Sequence, residues 1–371
     1  MRKSPRTTAR VVIVGNSPIA YGVCGLLLNA GYEPALVMPV LNSSVAADCR
    51  SKPGSERITR TGWSKSAISY TSLQDSLEAL SEADWVFDAS WFSLAEKQAL
   101  FKYIEVARRP SCIVTTDESI STVRELAQGM GERFTSHFAV THFFLPVERL
   151  PLVEVVFGDK VAEDIRLFLT DLCANNLQRS VLLPPDSPGF VANRIGMYWA
   201  VMAAMEAMKS NIGFREADVA MCEEFGVPKS GVFGLIDMIG IDVFETIVGR
   251  LQNSLEESDG IQKYKFEDNG HFKTLLKEGR KGRLTRAGFY RYDDRGKPES
   301  QLSADLKTYE ALPETSDDDR STGDTLHTPI SLFKRNVRFN IEIYVNQFCL
   351  STGVSSSAVR MAMRTGYGWD C

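Results

Sequence analysis

His142 and Glu154 are the two residues whose types and setting best suit acid–base chemistry. His142 follows the strand-like residues 139–141, and Glu154 lies in the middle of the apolar run 152–157. A carboxylate inside an apolar strand is costly to bury unless it has a polar partner. A nearby imidazole would supply that partner, and the carboxylate would hold it in one tautomer as a proton acceptor. The alternative is a core histidine beside an unrelated, half-buried glutamate.

The turn that follows the apolar run 11–14 is a candidate nucleotide site. A Gly-x-Gly-x-x-Gly turn is expected to hold a pyrophosphate, and here its positions are filled by Gly15, Asn16, Ser17, Pro18, Ile19 and Ala20. Gly15 suits the tight turn, whereas Ser17 places a side chain where the backbone should approach the phosphates. Met38 stands where an acidic residue would hold the ribose of NAD. The alternatives are a plain strand–turn–helix, and NADP bound through Arg50 and Lys52, which also suit a solvated loop.

Alternating strands and helices must position these residues. Apolar runs predict strands at 11–14, 34–37, 85–89 and 112–115, and helical patterns lie between them, as at 19–28 and 94–107. This alternation predicts a Rossmann-like, doubly wound parallel sheet in the α/β class. After residue 185 the pattern changes to long helices, at 193–209 and 215–225, which predict a second, all-α domain.

Four segments follow from these patterns. They are an α/β domain at 1–185, a helical substrate and dimerisation domain at 186–292, a polar linker at 293–328 and a partial second helical repeat at 329–371. Residues 217–227 and 357–367 resemble each other, which suggests the repeat. We expect its apolar residues to fold back on 190–250 or to pair between two chains; they are Phe339, Ile341, Ile343, Tyr344, Val345 and Phe348.

Composition limits the class of partner. The formal net charge of −5 gives no broad positive field for nucleic acid or an anionic membrane. The longest apolar run, 195–205, is shorter than the ~20 residues that span a bilayer. Seven scattered cysteines without a Cys-x-x-Cys pair favour reduced thiols over a zinc site or a disulfide framework. We therefore expect a cytoplasmic protein with a small-molecule partner and no metal.

Six motifs, in order along the chain, closely resemble those of the 3-hydroxyacyl-CoA dehydrogenase family. They are residues 141–146 (Thr-His-Phe-Phe-Leu-Pro), 152–155 (Leu-Val-Glu-Val), 186–195, 226–230 (Gly-Val-Pro-Lys-Ser), 235–242 and 285–290. The likeness is nearest to the dehydrogenase part of multifunctional fatty-acid β-oxidation proteins, and it covers residues 10–370. It implies a helical second domain similar to the C-terminal domain of 6-phosphogluconate dehydrogenase.

The resemblance also implies roles for single residues. His142 matches the base that takes the proton from a 3-hydroxyl, and Glu154 matches the carboxylate that orients it. Asn193 and Ser119 match residues that contact the substrate oxygen, although Asn193 also suits a helix N-cap. Lys97 is a family residue that remains beside the cofactor. The implied reaction interconverts 3-hydroxyacyl and 3-oxoacyl thioesters with NAD or NADP. A homodimer is expected from the unpartnered helical repeat.

Departures from the family cluster at the cofactor. Besides Ser17 and Met38, they include Phe92, Leu145 and Leu284. The region before residue 85 is also shorter than the family's helical hairpin for coenzyme A. We therefore expect weak binding of NAD or NADP, with coenzyme A or a carrier protein holding the acyl group. The rival hypotheses are a binding or scaffold protein on the same fold and a biosynthetic enzyme acting on a carrier-bound or free acid.

Overall fold

The computed structural model describes residues 9–38, 68–70, 76–266, 269–303, 306–312 and 328–370. Of residues 68–70 it describes the backbone. The chain divides into two compact units, residues 1–190 and 191–371. The predicted boundary after residue 185 therefore lies slightly before the division that the structure shows.

An eight-stranded sheet forms the centre of the first unit, in the order β3-β2-β1-β4-β5-β6-β7-β8. The strands are β1 (Val11–Val14), β2 (Ala35–Val37), β3 (Ile68–Tyr70), β4 (Trp85–Asp88), β5 (Ile113–Thr116), β6 (Phe138–Phe143), β7 (Leu152–Phe157) and β8 (Ser180–Leu182). β6 and β7 pair antiparallel, and the other neighbours pair parallel. The strand order reverses between β1 and β4, which is where open α/β sheets bind ligands.

Helices cover both faces of this sheet. They are α1 (Pro18–Asn29), α2 (Leu77–Glu82), α3 (Leu94–Ala107), α4 (Val123–Leu126), α5 (Glu132–Thr135) and α6 (Glu163–Asp171), which continues as a π-helical turn, Leu172–Asn176. Ile13 packs in the core on the α1 face, and Val14 packs in the core on the α3 face. Burial on both faces explains why β1 is a continuous β-branched run rather than an alternating one.

The predicted doubly wound sheet is confirmed, with one strand more than expected before residue 85. Ile68–Tyr70 pairs with β2, so that Trp85–Asp88 is the fourth strand along the chain rather than the third. This segment, Ile-Ser-Tyr, is too short and too polar to stand out as an apolar run. Pro18 opens α1 in the first turn, as its fixed φ angle predicts.

Seven α-helices and one small sheet are described in the second unit. The helices are α7 (Ala192–Lys209), α8 (Phe214–Phe225), α9 (Phe233–Ile239), α10 (Ile241–Ser254), α11 (Gly270–Lys277), α12 (Pro329–Thr352) and α13 (Ser356–Gly366). The antiparallel sheet contains β9 (Tyr290–Tyr292), β10 (Pro298–Leu302) and β11 (Tyr309–Ala311). The helical prediction is confirmed, but the segment predicted as a linker at 293–328 contains β10 and β11.

Two buried aspartates connect the motifs of the second unit. Asp218 accepts hydrogen bonds from the N–H groups of Val232 and Phe233, both at 2.7 Å, and from the Tyr290 hydroxyl at 2.7 Å. Asp237 accepts from the Tyr290 N–H at 2.9 Å and from the Tyr292 hydroxyl at 3.0 Å. These carboxylates stabilise the loop before α9 and fix β9 against it.

Helix α12 packs on α7, as the prediction that it folds back on residues 190–250 requires. Ile341, Tyr344 and Phe348 are buried, and the ring of Tyr344 stacks on Tyr198 with centroids 3.7 Å apart. Phe339, by contrast, is 62% exposed, and Ile343 is also exposed. A single helix face is therefore covered, and the apolar set predicted from the sequence was too broad.

Two further expectations concern the cysteines and membranes. Five cysteines lie in the described part of the chain and carry free thiols: Cys24, Cys112, Cys173, Cys222 and Cys349. Cys49 and Cys371 lie outside it. Within the described ranges, the helices are too short or too polar to cross a membrane.

Candidate active site

His142 and Glu154 are opposite each other on the antiparallel strands β6 and β7. Their side chains meet, with 2.9 Å between the His142 Nδ1 and the Glu154 Oε2. Both residues are buried. Because a carboxylate can only accept, the Nδ1–H of the neutral imidazole donates to it, and the Nε2 is left with the lone pair that takes a proton. The predicted contact between these two residues is therefore present.

The surroundings of His142 raise the pKa of its imidazole. Burial by itself lowers the pKa of the imidazole. The hydrogen bond to Glu154 and the negative charges of Glu154, Asp117 and Glu118 raise this pKa by more than burial lowers it, so that it lies above its ordinary value. The ring of Phe144 lies 4.3 Å from the imidazole, centroid to centroid. The carboxylates therefore favour the protonated state, and they outweigh the opposite effect of burial.

The loop after β5 supplies two acidic residues that the sequence analysis did not single out. Asp117 accepts a hydrogen bond from the Phe143 N–H at 3.0 Å, and burial raises its pKa to about 6, against the lowering effect of a charged His142. The Glu118 Oε1 accepts three consecutive backbone N–H groups, those of Ser119, Ile120 and Ser121, at 3.0 to 3.2 Å. Glu118 thus fixes the backbone of the loop in which the predicted site residue Ser119 lies half-buried.

The turn after β1 keeps the backbone path of a dinucleotide site. Gly15 has a φ of +132°, and a Cβ built on it would lie 2.7 Å from the carbonyl carbon of Ala89. A residue with a side chain would collide with the end of β4, so that only glycine fits here. The Gly15 N–H donates to Val37 at 2.9 Å, which places Met38 directly beside the turn, with 37% of its surface exposed.

Ser17 reduces the number of backbone N–H groups that are available to a ligand at the start of α1. Its hydroxyl accepts the Ala20 N–H at 3.1 Å, which makes Ser17 the N-cap of the helix. Pro18 has no N–H, and the Tyr21 N–H already donates to the Ser17 carbonyl. Helix N-termini bind phosphate through such N–H groups. The turn therefore fits a pyrophosphate in its glycine cradle, while offering fewer free donors and, at Met38, no carboxylate for the ribose.

Lys97 lies inside the first unit rather than at the surface of the turn. Its ammonium pairs with the Asp88 carboxylate at 2.8 Å and donates to the Thr116 hydroxyl at 2.9 Å and to the Asp117 carbonyl at 3.0 Å. The other oxygen of Asp88 accepts the N–H and the hydroxyl of Ser90. Lys97 thus joins the ends of β4 and β5, and β4 is the strand that pairs with β1 before the glycine turn.

Asn193 belongs to the second unit, in the first turn of α7. The N-cap position of this helix is Val191, so that the interpretation of Asn193 as the cap is wrong. Its Oδ1 instead accepts a hydrogen bond from the Tyr367 hydroxyl at 2.8 Å. Arg50 and Lys52, the candidates for a 2′-phosphate, lie outside the described residues.

Comparisons with known proteins place both units in one family. Residues 10–184 match the model of the 3-hydroxyacyl-CoA dehydrogenase NAD-binding domain, and residues 189–292 match the model of the C-terminal domain of the same family. A crystal structure of 3-hydroxybutyryl-CoA dehydrogenase from Escherichia coli K12 shares the fold, with a TM-score of 0.67 and 18% identity. That similarity covers 97% of this chain and 89% of the other.

Two curated relatives are longer than this chain. A probable 3-hydroxyacyl-CoA dehydrogenase from Bacillus subtilis is 28% identical over 81% of this chain and 40% of the relative. The fatty acid oxidation complex subunit alpha from Psychrobacter arcticus is 30% identical over 78% of this chain and 38% of the relative. The chain thus spans less than half the length of both. The matches to the two domain models cover most of this chain, which belongs to the 3-hydroxyacyl-CoA dehydrogenase family.

Proposed function

We propose that this protein interconverts a 3-hydroxyacyl thioester and its 3-oxoacyl counterpart with NAD or NADP, and that His142 moves the proton. The observation that carries the proposal is the buried contact between the His142 Nδ1 and the Glu154 Oε2 at 2.9 Å. It leaves the Nε2 as the only ring nitrogen with a lone pair. The family membership supports the class of substrate, since relatives carry the names 3-hydroxyacyl-CoA dehydrogenase and fatty acid oxidation complex subunit alpha.

In the direction of oxidation, the Nε2 of His142 takes the proton of the 3-hydroxyl as the C3–H bond breaks. The nicotinamide of a bound NAD or NADP would supply the acceptor for the hydride. Glu154 keeps the Nδ1–H in place and stabilises the imidazolium that forms, as a carboxylate behind a catalytic histidine does. An oxygen that alternates between alcohol and ketone also needs neutral donors. We assign that role to the Asn193 amide and the Ser119 hydroxyl.

The glycine turn is the part of the chain that would hold the dinucleotide. Gly15 allows the backbone to pass close to Ala89, and residues 16–20 follow at the start of α1. We propose weak binding with poor discrimination between NAD and NADP, because Ser17 occupies one helix N–H and Met38 offers no acceptor for the ribose hydroxyls. Lys97 would act on the cofactor indirectly, by holding Asp88 and the ends of β4 and β5.

The test is a set of initial rates with acetoacetyl-CoA and acetoacetyl-pantetheine, each with NADH and with NADPH. We expect activity in the parent and a loss of about 10²–10⁴-fold in His142→Gln, which is the usual contribution of a placed acid or base. A preference for acetoacetyl-CoA over acetoacetyl-pantetheine would show that the protein recognises the nucleotide part of coenzyme A. Unchanged rates in His142→Gln would remove this histidine from the mechanism.

A binding or scaffold protein on the same fold is the second candidate, and the capped turn at Ser17 together with Met38 favours it. This candidate predicts that the parent has no activity with either thioester or either nucleotide. It also predicts that titration with NADH leaves the intrinsic Trp fluorescence unchanged. Association in solution, measured by sedimentation, tests the proposed homodimer separately from the activity.

A further inference from the structure

The hydroxyl of Tyr367 contacts the side-chain oxygen of Asn193. It donates a hydrogen bond to the Asn193 Oδ1 at 2.8 Å, between residues 174 positions apart in the sequence. Both residues are in the second unit: Asn193 is in the first turn of α7, and Tyr367 directly follows α13. Because the two residues are so far apart in the sequence, their contact depends on the packing of α7 and α13 in the second unit.

Gly196 makes room for this contact. It lies three residues after Asn193 and therefore on the same face of α7. A Cβ built on Gly196 would overlap the aromatic ring of Tyr367. The ring thus fills the space that a side chain at 196 would take, and the hydroxyl reaches Asn193 one turn away. Gly196 is buried in the middle of a helix, where glycine costs up to about 1 kcal/mol relative to alanine.

The residues after Tyr367 hold it in place. Gly368 has a φ of +70°, which turns the chain back towards α8. The indole of Trp369 then packs edge-on against Trp199, with 5.2 Å between centroids, and also contacts Phe225. The Asp370 N–H donates to the Gly226 carbonyl at 3.2 Å. Tyr367 is therefore fixed between the end of α13 on one side and a buried indole on the other.

We propose that Tyr367 is a positioning residue that orients the Asn193 amide for the reaction. A phenol that donates to the Oδ1 commits this oxygen as the acceptor and leaves the Nδ2 as the donor end of the amide. A freely rotating amide would also present its oxygen, which repels a substrate oxygen that is gaining negative charge. This inference rests on the proposed function, in which Asn193 donates to the substrate oxygen.

Tyr367→Phe tests this proposal, because the substitution keeps the ring against Gly196 and removes only the hydroxyl. We expect kcat to fall about tenfold, less than the 10²–10³-fold that follows complete removal of an oxyanion donor. KM should change less than twofold, and the apparent pKa of the pH–rate profile should stay that of the parent. Tyr292→Phe is the matched control: it removes the hydroxyl that donates to Asp237 at 3.0 Å, also in the second unit. It should keep the parent kcat.

A double-mutant cycle separates positioning from a general structural role. If Tyr367 acts through Asn193, Tyr367→Phe should have no further effect on kcat in an Asn193→Ala background. An equal loss in both backgrounds, or a normal kcat in the single variant of an active parent, would overturn the inference and leave the proposed function standing. An inactive parent would instead refute the proposed function, and this inference with it.

Discussion

His142 and Glu154 face each other across the antiparallel pair β6–β7, and the register alone brings the imidazole to the carboxylate. Directly opposed residues on neighbouring strands project their side chains to the same face of the sheet. The contact therefore depends on two rigid strands rather than on a loop.

Replacing the carboxylate should change the pH dependence of the reaction. In Glu154→Gln the amide oxygen still accepts from the Nδ1–H, but the negative charge that raises the pKa of His142 is lost. Oxidation requires the neutral imidazole, so that its rate rises with pH through this pKa, and reduction requires the imidazolium, so that its rate falls. We expect both profiles to move to lower pH in the variant, with a loss of about tenfold or more in the rate of reduction at neutral pH.

This shift is measured from profiles of kcat/KM in both directions. They run from about pH 5 to pH 9, which covers roughly the range in which a histidine titrates. Glu132→Gln, which changes an exposed glutamate of α5, is the control for a lost charge in the same unit. Coincident profiles for the parent and Glu154→Gln would mean that the carboxylate does not set the basicity of His142.

The sequence indicated this pair because a histidine and a glutamate interrupt apolar runs. Each of these buried polar side chains needs a polar partner, and a contact between the two supplies both. The sequence could not indicate Asp117 and Glu118. In the sequence they form a polar Thr-Asp-Glu-Ser stretch that is indistinguishable from a solvated turn. Their importance comes from burial, and from the Phe143 N–H that a different strand, β6, presents to Asp117.

Tertiary contacts also supply what the sequence could not show. Lys97 matches a family position near the cofactor, and the structure adds that its ammonium pairs with Asp88, which lies on β4. Residues 298–302 read as a polar, proline-containing linker, yet they form β10 because Tyr290–Tyr292 offers an edge with which to pair. Strand formation depends on such a partner more than on the local sequence. The first domain was more predictable, because strands such as β1 and β4 are apolar runs that a helix follows.

The cofactor preference should respond to Met38. An acidic residue here would stand beside the Gly15 turn, where a carboxylate accepts hydrogen bonds from the ribose hydroxyls of NAD and repels the 2′-phosphate of NADP. We expect Met38→Asp to tighten NAD binding about tenfold and to weaken NADP binding, as measured by calorimetry. Met38→Leu serves as the control and should bind both like the parent. Tight and selective NAD binding by the parent would show that another residue holds the ribose.

Lys97 should matter for stability. Lys97→Met leaves the Asp88 carboxylate buried without its cation, which usually costs about 3–5 kcal/mol. Lys97→Met combined with Asp88→Asn should recover part of this loss, because the uncompensated charge is then gone. Urea unfolding followed by circular dichroism measures both variants. A Lys97→Met protein that is as stable as the parent and loses only NAD affinity would restore Lys97 as a direct cofactor contact.

The last prediction concerns the helix that covers α7. Ile341 and Phe339 are two residues apart on α12, but Ile341 is buried within the second unit and Phe339 is 62% exposed. Ile341→Ala should lower the free energy of unfolding by about 2–4 kcal/mol, because it removes buried methyl groups and leaves a cavity. Phe339→Ala should change it by less than about 0.5 kcal/mol, as surface substitutions do. Urea denaturation distinguishes the two. If Phe339→Ala costs as much as Ile341→Ala, or if it disrupts a dimer seen by sedimentation, the exposed face of α12 is covered by a second chain in solution.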